Sequence, residues 1–332
     1  MDTTLRARPR PRFRPLLTAT LLALASAGTG ATELPLPPPG EDVIGAAVRL
    51  RTVYEDTFAA VAERANLGYR ELRQANPEVD PWLPGEGTEI VLPGQFVLPP
   101  GPRSGVVVNV AEYRLYFYPE DGGVVETVPV GIGREGFPTP VMDSRVVQRL
   151  EQPSWTPPDS VRREYASRGV ELSGVVAPGP DNPLGEYAMQ LHRPSYLIHG
   201  TNQAFGVGSR VSHGCIRLYP EDIARLIWAV PRGAPVRIVH EPFKVGVRGS
   251  DLLLEAHPPL PDYEGGSLTD MVARIIARAP EGARIDWELA ETVAREARGV
   301  PVVIGQLPGA GAVPAVRMAT GRVAGQDPAV GE

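Results

Sequence analysis

Between residues 104 and 240 apolar residues gather in short runs separated by polar and turn-forming residues. "SGVVVNV" (104–110), "YRLYFYP" (113–119), "GGVVETVPVGIG" (122–133), "RVVQRL" (145–150) and "YAMQLHRPSYLIHG" (187–200) are rich in Val, Tyr, Leu and Ile and bounded by Gly, Asp or Pro. Such runs predict strands, and "EDGG" between two of them predicts a turn. In "PEDIARLIWAV" the apolar residues Ile223, Leu226, Ile227 and Val230 follow a helical spacing, with Pro220 in the first turn. "APVRIVH" (234–240) reads as a final strand. The pattern predicts a chain that is mainly β with some α, its largest domain (104–240) a sandwich or barrel with one helix. In front of it, residues 41–93 predict a small α/β module. Its parts are a strand in "VIGAAVRLRTVY", a helix capped by Asp56 with Phe58, Val61, Ala62 and Ala65 on one face, a second helix in "GYRELRQAN", and a strand in "TEIVLP". Behind it, 241–299 is an extension with two helical segments, "LTDMVARIIARA" and "DWELAETVAREAR". Residues 300–332 are rich in Gly, Ala and Pro without a period and predict a loose tail. No internal repeat is present.

Composition adds an address. The chain has 332 residues, room for two or three domains, with ordinary apolar (42%) and charged (22%) fractions. Residues 1–31 begin with five arginines between Arg6 and Arg14, continue with "LLTATLLALASAG", and end in small residues, the build of a signal peptide. The apolar run is shorter than the roughly 20 residues of a spanning helix, although a retained anchor is the alternative. A Pro-rich linker (32–40) follows. Removing residues 1–31 takes five of the 33 basic and one of the 39 acidic residues, leaving 28 and 38 and a net charge of −10. This balance argues against nucleic acid or anionic lipid as a partner. The expected destination is therefore outside the cytoplasm.

Cys215 is the sole cysteine. An unpaired thiol is a liability in an oxidising compartment, so its neighbourhood carries weight. It lies in "IHGTNQAFGVGSRVSHGCIRL", between His199 and His213 upstream and Arg217 downstream. A catalytic cysteine needs a group to take its proton and stabilise the thiolate, and an imidazole with a usual pKa of about 6.5 suits that task. Both histidines are candidates: His213 is two residues away on the same loop, and His199 ends a strand that can approach from across the site. Gly214 permits a tight turn and close approach of an acyl group to the amides of Gly214 and Cys215, which can stabilise an oxyanion. Ser212 is placed to bond His213 or the loop backbone. Arg217 puts a permanent charge near the nucleophile, suited to a substrate carboxylate or to lowering the thiol pKa, and a structural role for it stays open.

"IHGT" followed by "SHGCIRL" resembles the signature of the L,D-transpeptidase catalytic domain, the YkuD or ErfK type in its Gram-negative form. "VNVAEYRLYFYP", "VGIGREGFPTP", "PSWTPPDSV", "PGPDNPLGEYAMQL" and "YPEDI" extend the likeness over residues 104–245. The module at 41–93, with its "ANP" turn, resembles the LysM-like peptidoglycan-binding domain. The resemblance implies a YkuD-like β-sandwich or barrel with Cys215 as nucleophile, His199 as base held by a carbonyl near Gly200, and His213, Gly214 and Cys215 around the oxyanion site. Ser212 completes the motif, and Arg217, Tyr196, Thr201 and Trp155 are the implied substrate-binding residues. It further implies peptidoglycan stem peptides as partners. Cys215 would attack the L-centre of diaminopimelate and expel terminal D-alanine. The resulting thioester would pass to an amine of a second stem or of an outer-membrane lipoprotein, with no cofactor and no metal. "PTPVMDS" departs from the family pattern, which carries a glycine near the second proline. Met142 and Asp143 there stand at the cleft edge.

Other chemistries fit less well. His192, His199, His213 and Cys215 have none of the short zinc spacings, no GxSxG elbow is present, and the single lysine, Lys244, lies in no motif. The remaining alternatives are water as acceptor, which makes the protein an L,D-carboxypeptidase or a hydrolase detaching lipoprotein, and a peptidoglycan-binding scaffold with a vestigial site.

Overall fold

The computed structural model describes residues 32–172 and 174–308, so the predicted signal peptide and the tail from residue 309 lie outside the described residues. The chain begins with β1 (Thr32–Pro35), β2 (Val43–Gly45), β3 (Val48–Arg51), α1 (Phe58–Arg64), α2 (Tyr69–Ala75), β4 (Glu89–Leu92) and β5 (Gln95–Val97). It continues with β6 (Gly105–Asn109), β7 (Arg114–Tyr118), β8 (Val124–Pro129), β9 (Ile132–Gly133), β10 (Met142–Glu151), α3 (Asp159–Ser167), β11 (Tyr187–Leu191) and β12 (Leu197–His199). The final elements are β13 (Arg210–Ser212), β14 (Ile216–Arg217), α4 (Pro220–Ala229), β15 (Pro235–Val239), β16 (Phe243–Arg248), β17 (Asp251–Ala256), α5 (Leu268–Arg278), β18 (Arg284–Ile285), α6 (Trp287–Glu296) and β19 (Val302–Gln306). Among the described residues no helix is long and apolar enough to cross a membrane.

A nine-stranded mixed sheet, in the order β1-β8-β7-β6-β15-β10-β11-β12-β14, carries the middle of the chain. Its central strands are apolar on both faces because both are covered. Val106 and Val108 of β6, with Leu115 and Phe117 of β7, join α4 residues Ile223, Leu226 and Ile227 in one core. Val107, Tyr116 and Tyr118 point the other way, into a core shared with Phe58, Val61 and Leu72 of α1 and α2. Side chains alternate across a strand, so one run of valines serves both layers. The N-terminal module is thereby packed onto the nine-stranded sheet, and the buried pair Arg114–Glu71, with Nε to Oε1 at 2.6 Å, ties the two together.

Several expectations are corrected. The predicted linker 32–40 contains β1, which pairs antiparallel with β8 at the sheet edge, where Pro35 forfeits little ladder bonding. "VIGAAVRLRTVY" forms two strands, not one: β2 pairs with β5 and β3 with β4, and Gly45 turns the chain between them at φ +66°. Thr57, not Asp56, caps α1, accepting from the Ala60 amide, while Asp56 receives Val53 N–H and Arg64. Residues from 300 are not all loose, since β19 pairs antiparallel with β17.

The C-terminal extension is a four-stranded sheet, β16-β17-β19-β18, with α5 and α6 packed on it around Phe243, Leu252, Leu254, Ile275 and Ile304. The hairpin β16–β17 had no clear signal in the sequence because Lys244 and Glu255 stand at inward positions. Both are fully buried. Lys244 Nζ bonds Glu112, Glu255 Oε1 (2.9 Å) and Tyr116 OH (3.3 Å), and His257 Nε2 lies 2.7 Å from Glu255 Oε1. Glu112, Glu255 and His257 together have the donor set of a metal site, and the Lys244 ammonium supplies the positive charge beside both carboxylates.

Candidate active site

The nucleophile loop is built by strand register. β12 and β14 run parallel, with Ile198 opposite Ile216 and His199 opposite Arg217. Paired residues point to the same face, so His199 and Arg217 stand side by side, and Cys215 precedes β14 by one residue. The half-buried thiol points to the Ser195 carbonyl, 3.6 Å away. Burial pushes its pKa up, and the Leu197 backbone and the Arg217 charge oppose that rise. Arg217 is half-buried, has no hydrogen bond at Nε, and has its own pKa lowered by desolvation.

His199 is buried, and its Nδ1 lies 2.6 Å from the Gly200 carbonyl oxygen, with the Leu184 backbone also contributing. Nδ1–H therefore donates and Nε2 keeps the lone pair, the tautomer of a base. Burial, and next the Arg217 charge, lower its pKa to about 4. The resting site thus holds a neutral imidazole beside a neutral thiol.

His213 is committed elsewhere. Its Nε2 lies 2.8 Å from Glu164 Oε2 on α3 and 3.2 Å from Arg134, and its ring meets Phe137 edge-on at 4.9 Å. Arg134 also bonds Glu164. The His213 hydrogen bond, foremost, and Arg134 hold the Glu164 carboxyl below its usual range. The two histidines that the sequence left open differ in their partners: His199 bonds backbone carbonyls at Gly200 and Leu184, and His213 fastens the loop to Glu164 of α3. Sequence reasoning missed Glu164 and Arg134. α3 buries a single apolar residue, Val161, so no periodicity announced the helix.

Ser212 staples the loop, donating to the Cys215 carbonyl (2.5 Å) and accepting from the Gly214 amide (3.2 Å). It does not bond His213, and of the two amides expected at an oxyanion site, that of Gly214 is taken up by Ser212. Gly214 has φ +103°, and a Cβ there would sit 3.2 Å from Tyr196 Cε1, so Tyr196 packs on the loop itself. Thr201 is buried and bonds its own loop at Gln203. It lines, with Tyr187, Asn202 and Pro180, a cleft of about 530 Å³ beside Gly200. Trp155 exchanges backbone hydrogen bonds with Val176, closing the base of the segment that carries α3. The structure brings His199 and Cys215 each next to Arg217, with Gly200 on His199, Ser212 and Gly214 on the Cys215 loop, Tyr196 packed on that loop, Thr201 at the edge and Trp155 at the base of the α3 segment.

Such a grouping can perform acyl transfer through a thioester. The family profile for the L,D-transpeptidase catalytic domain, YkuD, matches residues 103–238. The probable L,D-transpeptidase ErfK/SrfK of Escherichia coli is 41% identical over 283 residues, covering 81% of this chain and 90% of its own. The probable L,D-transpeptidase YcfS of the same organism is 38% identical over 278 residues, covering 81% and 87%. The probable L,D-transpeptidase YbiS is 40% identical over 235 residues, covering 69% and 76%.

Proposed function

This chain belongs to the L,D-transpeptidase family, and on that premise we propose that it transfers peptidoglycan stem peptides through a thioester on Cys215. The observation that carries the reading is the His199–Arg217 register beside Cys215. As substrate enters, the thiol proton passes to His199 Nε2 and the sulfur attacks the carbonyl of the L-centre of diaminopimelate. The peptide C–N bond breaks, His199 returns the proton to the departing D-alanine amine, and a thioester remains. An acceptor amine then attacks the thioester, His199 takes its proton, and the thiolate leaves and is reprotonated. Arg217 offsets the negative charge that develops on sulfur and oxygen in a site drier than water. The acyl bond energy is conserved through the thioester, so the chemistry requires neither a nucleotide nor a metal.

A neighbouring stem is the proposed acceptor, with the terminal lysine of an outer-membrane lipoprotein as a second amine of the same kind. The β3-α1-α2-β4 unit is read as a LysM-like glycan holder, supported by the exposed Trp82 beside Tyr69, ring centroids 6.4 Å apart. Periplasmic location rests on the leader-like residues 1–31 and the unpaired thiol.

The test incubates chain lacking residues 1–31 with a diaminopimelate-containing disaccharide tetrapeptide, beside a Cys215→Ala control, and follows products by mass spectrometry. Cross-linked dimers absent from the control are expected. Tripeptide alone points to water as the acceptor, and no Cys215-dependent product from this substrate or from a lipoprotein peptide overturns the reading.

A further inference from the structure

Away from the nucleophile, positive charge gathers in a cleft of about 460 Å³ where three parts of the chain meet. They are α2, the strands β9 and β13 that lead into the nucleophile loop, and the proline-rich segment 258–261. Arg70, Arg134 and Arg210 line it with Tyr113, Gln74 and Glu135. Arg210 is neutralised by Asp262 and donates to the Gly133 carbonyl at 3.2 Å. Arg134 is shared with Glu164 and His213. Arg70 forms no ion pair with a carboxylate among the described residues, and its guanidinium lies 5.5 Å from the centre of the Tyr113 ring. Glu135 is the one carboxylate in the lining, and it is exposed.

Tyr113 is the second, independent sign. It is 1% exposed, the Arg70 guanidinium faces its hydroxyl and can only donate, so the O–H proton has no acceptor, and its backbone is held at φ +58°, where side chains are strained. A buried phenol whose proton has no acceptor is costly to keep, and here it borders a cleft beside a guanidinium that is paired with no carboxylate among the described residues. A phenol O–H and a guanidinium on one wall are a donor set for a carboxylate.

We propose that this cleft is a binding site for a stem-peptide carboxylate, distinct from the point of bond exchange. The proposal rests on the acyl-transfer reading above. Stem peptides carry several carboxylates beyond the scissile bond, and the cleft adjoins the nucleophile loop through two of its own residues. Arg210 begins β13, which ends at Ser212, three residues before Cys215. Arg134 touches both the cleft and the His213–Glu164 contact that holds α3 over the loop. Arg134 lines the same cleft as Arg70 and Tyr113 and stays paired with Glu164.

The test uses the full described chain with Cys215→Ala, labelled with nitrogen-15 and titrated with free stem tetrapeptide while arginine Nε–Hε resonances are followed. Saturable shifts at Arg70, with affinity at least tenfold weaker in Arg70→Gln and at least threefold weaker in Tyr113→Phe, are expected. Tyr113→Phe removes one oxygen and keeps the packing, so a change there is not a folding failure, and the thermal midpoint checks this. In the active chain, Arg70→Gln is expected to raise the KM of one substrate at least tenfold, compared with Arg295→Gln on remote α6. A raised donor KM identifies the donor stem as the source of the carboxylate, and a raised acceptor KM the acceptor stem. An Arg70 resonance that stays still at saturating tetrapeptide overturns the proposal. That titration needs no turnover, so failure of the acyl-transfer reading shows separately, as an active chain that yields no product.

Discussion

Two groups of polar side chains are removed from water in this molecule, and they are built on opposite plans. Around Lys244 the charges are paired with one another: Glu112, Glu255 and Tyr116 surround the ammonium, His257 bonds Glu255, which also accepts the Val97 amide at 2.5 Å, and Glu112 Oε1 and His257 Nδ1 keep no partner. The residues come from the catalytic sheet and the C-terminal hairpin, so the cluster joins them. Around Cys215 the groups are left open. The thiol has one weak contact, Arg217 has a free Nε, and His199 keeps an unshared nitrogen. Desolvation acts on both regions, raising the Glu112 pKa in one and lowering that of His199 in the other. In the closed cluster it is offset by opposite charge, whereas in the open one it is held as readiness to react with something not yet bound. Buried charge becomes chemistry when its last partner is missing and a ligand can reach it.

This contrast can be broken at several points. Cys215→Ala removes the nucleophile and is expected to abolish product while the thermal midpoint moves little, read by mass spectrometry and calorimetry. Lys244→Met does the reverse. It strands two buried carboxylates and is expected to cost about 3–5 kcal/mol in denaturant unfolding, with activity per folded molecule retained.

Acid sharpens the difference. His199 titrates at about 4 in the folded chain and near 6.5 unfolded, so between these values the unfolded chain binds more protons. The stability His199 contributes is present above pH 6.5 and is lost as pH falls through 4, a change of about 3 kcal/mol at 1.36 kcal/mol per pKa unit. Chemical denaturation from pH 7 to 4, comparing the chain with His199→Gln, reads this directly. The same pKa places the acid limb of kcat/KM near pH 4. Arg217→Met, the smallest expected effect, removes the like charge beside His199 and moves that limb to higher pH, by less than about two units. A limb that stays in place means burial alone sets the His199 pKa.

The legibility of this protein was uneven for identifiable reasons. The runs of Val and Tyr at 104–133 announced strands because β-branched and aromatic residues bounded by Gly, Asp and Pro suit a pleated strand, here buried on both faces. β16 and β17 were hidden because a lysine and a glutamate occupy core positions, which is tolerable only when each finds the other in space. α3 was hidden for the opposite reason, since its inner face is polar and meets His213 and Arg134 rather than a hydrophobic core.

By itself the sequence supplied the candidate reactive residues: a lone cysteine after His-Gly, a second histidine at a strand end, and an arginine two residues on. It also determined the strands that carry them, because a run of strand-forming residues is a local property of the chain. Only the tertiary structure separates the two histidines, and with it the reading of His199 as the base. That separation depends on where each ring nitrogen finds its partner, Gly200 for His199 and Glu164 for His213. One partner lies one residue away and the other 49 residues away, and no local pattern encodes the second.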